Sequence, residues 1–125
     1  MKPSRLITSR NLLVLAVITE FATGLALLFD PGLLGAWLLV IDTSELTYLF
    51  ARCFGLALLA LALACWPGQG NTGAVRGMLF YNAAIAFYLV YLGLFVSHSL
   101  LLWPAVAFHL LMSVLLGHSY HSKEQ

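Results

Sequence analysis

Four apolar stretches, residues 11–29, 46–66, 77–97 and 100–117, carry almost no charge and fill most of the chain. At roughly 1.5 Å per helical residue, each is long enough to cross a hydrocarbon core of about 30 Å. Inside that core every backbone N–H and C=O must be bonded within the protein, so a spanning chain is limited to helices or a closed barrel. Uninterrupted apolar runs of this length, with no two-residue alternation, are helices. The composition agrees: 62% of the residues are apolar and 9% charged, far from the balance of a soluble domain. The sequence therefore predicts an all-α integral membrane protein, residues 1–125 forming a single four-transmembrane-helix domain.

The residues between the stretches explain where they stop. The first ends at "FDPG", where Pro31 discourages continuation and Gly32 permits a sharp turn. The following "GLLGAWLLVI" is apolar but too short to span. It is expected along the interface with Trp37 at headgroup level, or else as a ragged extension of the first helix. At "DTSEL" Asp42 or Ser44 is placed to cap the second helix. "WPGQGNTGAVRG" reads as a polar linker and contains no phosphate-binding pattern. Connections this short make consecutive helices antiparallel neighbours, an up-down bundle. A signal peptide is the rival reading of the start, but the run is too long and Glu20 would interrupt it.

Net charge is +1, which gives no electrostatic case for nucleic acid as a partner. The placement of charge says more. Lys2, Arg5 and Arg10 precede the first stretch, Arg76 opens the third and Lys123 follows the fourth, whereas Asp30, Asp42 and Glu45 lie between the first and second. The positive-inside rule then puts both termini in the cytoplasm and the acidic connection outside. Cys53 and Cys65 lie about 18 Å apart along one helix, too far to pair with each other, and are expected as buried thiols. His118 and His121 in the tail lack a third ligand, so no metal site is expected.

Glu20 stands in "LAVITEFATGLALL" with no charged residue for nine positions on either side. An ionisable group at this depth costs roughly 2.5–3.5 kcal/mol on insertion scales and is expected to face the bundle and find a partner. Measured from the expected outer helix ends, Glu20 and His109 both lie about 13 Å deep and Arg52 about 9 Å. Tyr88 and Tyr91 lie nine and six residues below the outer end of the third helix. These five residues form the candidate ligand-binding layer, with Glu20 and Arg52 as the expected ion pair. Two other readings stay open: the layer is purely structural, or Arg52 turns outward to Asp42 or Glu45 and leaves Glu20 protonated. Asn82, in the cytoplasmic half, is assigned to interhelical packing, and for Tyr81 and Tyr88, which share one side of the third helix, a lipid-facing or interfacial position stays open. Small residues beside the charges, Ala16 and Gly24 on the first helix and Gly55 on the second, favour close helix approach.

With "TEFATGLALLFDPG" and "ARCFGLALLALA", the chain resembles the small bacterial four-helix membrane proteins of the DoxX-like kind. The resemblance covers most of the chain and rests on the four-helix layout, the Gly/Pro end of the first helix, and Arg52 with Gly55. It implies an accessory subunit of the bacterial inner membrane, linked to a quinone and residing in a larger complex or homo-oligomer. From the residues themselves the expected function is binding of an amphipathic, lipid-like small molecule in an outer-half polar pocket, and the resemblance implies that a quinone is a candidate for it. The alternatives are an assembly subunit and, last, a proton-coupled carrier. No nucleophile with an adjacent base is evident, so independent catalysis is not expected.

Overall fold

The computed structural model describes residues 9–39, 44–68, 72–96 and 99–122. Its helices are α1 (Ser9–Phe29), the short α2 (Pro31–Leu34), α3 (Glu45–Ala64), α4 (Thr72–Phe95) and α5 (Leu102–His121). Four of them, α1, α3, α4 and α5, are long and apolar enough to cross a membrane, which makes this a small multi-pass membrane protein with an all-α four-helix bundle. Asp42, Lys2, Arg5 and Lys123, on which parts of the cap and orientation expectations rest, lie outside the described residues.

Two spans differ from their expected bounds by more than two residues. Helix α4 begins at Thr72, so Arg76 lies within its first turns rather than before it, and α5 continues to His121, taking in the tail histidine His118. Neither extension meets a proline: Thr72 and Gly73 are exposed at the start of α4, and Ala74 packs against the apolar core. The start of α3 is capped as expected by Ser44, whose Oγ accepts the Thr47 N–H at 3.3 Å. Pro104 falls in the first turn of α5, where a missing donor costs little.

The segment after α1 is neither flat coil nor a continuation of that helix. Asp30 breaks α1 and caps α2, its Oδ1 accepting the Leu33 N–H at 3.2 Å, with Pro31 in the first helical position. A π-helical turn, Gly35–Leu39, follows and leaves Trp37 exposed. The Trp37 carbonyl accepts the Ser99 hydroxyl at 3.1 Å, tying this segment to the approach to α5.

The bundle is two antiparallel hairpins, α1 with α3 and α4 with α5. Helix α1 joins them, packing on α5 and α4 as well as on α3. Helix α3 comes close to the second hairpin at its Cys65 end, where a Cβ on Gly77 would stand 4.0 Å from the Cys65 sulfur. At that same terminal end lies the apolar core, with Leu13, Ala16, Val17, Met78, Met112 and Leu116 almost wholly buried. At the crossing of α1 and α3, Gly24 and Gly55 face each other with nothing between: a Cβ on Gly55 would lie 2.7 Å from the Gly24 carbonyl oxygen. Because lipid tails are as apolar as leucine, helices in a membrane are held by such close packing and by hydrogen bonds rather than by hydrophobic exclusion.

Candidate functional site

Helix α1 buries Leu13, Ala16, Val17, Glu20 and Gly24, a face that follows the helical repeat. Glu20 is the charged residue on it and is only 1% exposed. Helix α4 buries Val75, Met78, Asn82 and Ala86 at spacings of three and four. Tyr81, one position round from Asn82, meets α1 at the level of Glu20, and its hydroxyl hydrogen-bonds the Glu20 carboxyl. The other carboxyl oxygen, Oε1, is buried with no hydrogen-bond partner.

From α5, His109 completes the layer. Its Nδ1 lies 2.8 Å from Asn82 Oδ1, and its ring meets that of Tyr81 edge-on at a centroid distance of 6.3 Å. The Asn82 amide is oriented by its own helix, since Nδ2 donates to the Met78 carbonyl at 2.9 Å. Oδ1 is therefore the group turned to His109, and a carbonyl oxygen only accepts. Nδ1 must carry the hydrogen, which leaves Nε2 of the neutral ring as an acceptor. Glu20, Tyr81, His109 and Asn82 thus form one polar cluster, drawn from three helices, at mid-span.

Arg52 is not part of it. It is exposed and lines a cleft of about 620 Å³ between α3 and the end of α1, together with Phe29, Asp30, Pro31, Glu45, Tyr48, Leu49, Cys53 and Leu56. The expected Glu20–Arg52 pair is therefore corrected, and the reason is register. Around the Gly24–Gly55 crossing the antiparallel partner of Glu20 is near Leu59, seven residues and about 10 Å from Arg52. Glu45, one of the two acids toward which the alternative reading turns Arg52, lines the same cleft. Cys53 lines that cleft exposed, against expectation, while Cys65 is buried as expected.

Tyr88 and Tyr91 also lie apart from the layer. They stack on each other at 6.4 Å on the outward face of α4, 57% and 53% exposed. The five sequence candidates are thus spread over three places: Glu20 and His109 in the buried cluster, Arg52 in the cleft, and the two tyrosines on the surface. Asn82 and Tyr81 supply the missing partners. The signal for Asn82 was present, since an amide in a spanning helix is as demanding as a histidine, and Tyr81 adjoins it.

The chain matches no family model, no curated protein and no solved structure. The function therefore has to be argued from these residues. Among the described residues no group of three or more His, Cys, Asp or Glu side chains is placed to hold a metal.

The placement of Arg52 makes a testable claim about stability. Arg52→Ala should unfold in detergent within about 0.5 kcal/mol of the parent, the range of surface substitutions. A loss of several kcal/mol in thermal melts would mean that the guanidinium is buried against a carboxylate.

Proposed function

We propose that this protein is a non-catalytic subunit of the bacterial inner membrane, with cytoplasmic termini, that holds an amphipathic molecule of the lipid or quinone kind in the cleft at the outer end of its first hairpin. The observation that supports this most directly is Arg52, exposed in a cleft lined by both polar and apolar side chains. Asp30, Glu45, Tyr48 and Arg52 offer polar partners for a head, and Phe29, Leu49 and Leu56 offer a surface for a chain. A guanidinium presents several fixed donors to a phosphate or a quinone oxygen. Two carboxylates beside one guanidinium disfavour a purely anionic head and suit one carrying both signs, with its phosphate on Arg52 and its ammonium on Asp30 or Glu45. Of the two ligand kinds, a zwitterionic phospholipid therefore fits the charges better than a quinone.

A second reading, an assembly subunit of a larger complex or a homo-oligomer, has its own support. Helix α3 packs chiefly on α1 and leaves Leu46, Leu49, Phe50, Phe54, Leu56 and Leu63 exposed, a face open to lipid or to another subunit. The DoxX-like resemblance fits either reading.

Native mass spectrometry from a gentle detergent, with phosphatidylethanolamine and ubiquinone added in turn, separates them. The cleft reading expects retained phospholipid that falls roughly ten-fold or more in Arg52→Gln, since a hydrogen bond to a charged group contributes about 1.5–3 kcal/mol. Equal retention by parent and variant would remove the cleft from the account. A second protein or a second copy held with no small molecule would favour assembly.

A further inference from the structure

The cleft makes no use of Glu20. We propose that Glu20 is an intramembrane proton-binding site, whose carboxyl takes up and releases one proton at the seam between the two hairpins. A protein can hold a carboxyl in a membrane interior by pairing it with a cation, binding it to a metal, giving it a full set of donors, or leaving it its proton. The structure narrows these four. The residues against the Glu20 carboxyl supply one phenolic donor, while the guanidinium of Arg52 lies in the cleft. Among the described residues there is no metal-holding group, and Oε1 has no partner although it is buried.

The uncommitted Oε1 is the place for the proton. Tyr81 suits both states, because a hydroxyl donates to a carboxylate and can equally accept from a carboxylic acid. Beyond it lies His109, whose Nδ1 is committed to Asn82, so that Nε2 remains as a second basic atom in the same layer. Of the ionisable groups on the elements around α1, Tyr81 on α4 and His109 on α5 lie in the layer of Glu20. Asp30 before α2 and Glu45, Tyr48, Arg52 and Cys53 on α3 line the cleft, Cys65 is buried with the apolar core and Tyr120 packs against it, Tyr88 and Tyr91 are exposed, and Arg76, His118 and His121 lie toward the terminal end of α4 and α5. In the binding step an O–H bond forms at Glu20 with a proton from the aqueous phase, which returns there on release, and no electrons are transferred. The ligand is thus the proton itself, independent of whatever occupies the cleft.

Infrared spectroscopy of the full chain in a phosphatidylcholine bilayer tests this, with Glu20→Gln as an isosteric reference. The difference spectrum between parent and variant should contain one carboxylic C=O band. It should shift in D2O, vanish reversibly as the buffer is made alkaline, and correspond to one proton per chain. In Tyr81→Phe the same band should move in frequency, because it loses its hydrogen bond, and this variant carries the assignment if Glu20→Gln does not fold. Absence of the band at every pH would overturn the proposal. So would a band that neither exchanges nor titrates, which marks a sealed structural acid, or one indifferent to Tyr81→Phe.

Discussion

Gly55→Leu is expected to prevent the first hairpin from forming, and Gly55→Ala to cost about 1–3 kcal/mol, the range of overpacking a tight site. Even a methyl group on Gly55 would lie 2.7 Å from the Gly24 carbonyl oxygen and 3.0 Å from the Leu28 nitrogen. Both obstacles are backbone, so no side-chain rotation relieves them and the helices must move apart. Gly73 supplies the control. A Cβ there meets nothing within 4 Å, and Gly73→Ala should melt at or above the parent by up to about 1 kcal/mol, the helical advantage of alanine. Thermal unfolding of the three variants in one detergent gives the comparison. A Gly55→Ala protein as stable as the parent would mean that α1 and α3 do not cross at these glycines.

The buried Asn82 amide and the half-buried His109 imidazole should show the other large effect. Asn82→Leu leaves the His109 Nδ1–H without its acceptor, and His109→Phe leaves Asn82 Oδ1 without its donor, each at about 1–3 kcal/mol for a buried group stranded without a partner. Replacing both removes donor and acceptor together, so the double variant should be more stable than the sum of the single losses predicts. Its coupling energy is expected in the range of about 0.5–3 kcal/mol seen for residues in contact. Additive losses would show that the two side chains do not meet. Glu20 would be unaffected in this cycle, because its hydrogen bond is made with Tyr81.

How far the sequence leads depends on the kind of question put to it. The spans are legible because a hydrocarbon core demands length and apolarity, and both are linear properties of a chain. Ser44 and Pro31 are legible for a similar reason, since caps and helix breaks are decided by neighbours in sequence. The contents of the polar layer are only half legible. Depth, counted along each helix from its end, correctly singles out Glu20 and His109. It fails for Arg52 because the helix ends are not level: α3 starts beyond the end of α1, and the offset appears only once Gly24 and Gly55 fix the register. It fails for Tyr88 and Tyr91 because depth says nothing of direction. At about 100° per residue Tyr91 lies opposite Asn82 on α4, and only the packing partner decides which side is inside. The same omission leaves a lipid-facing position open for Tyr81, although it faces α1.

The division into two hairpins bears on how the chain is made. Each hairpin contains its own tight contacts, Gly24 against Gly55 in the first and Gly93 against Leu102 and Trp103 in the second, between residues close in sequence. Contacts of this kind close short loops and form quickly. The first hairpin can therefore be complete while α4 and α5 are still being synthesised, but at that stage Glu20 faces lipid with neither Tyr81 nor His109 beside it. Docking of the second hairpin supplies those partners. The carboxyl is thus a reason for the two halves to join as well as a feature of the finished bundle.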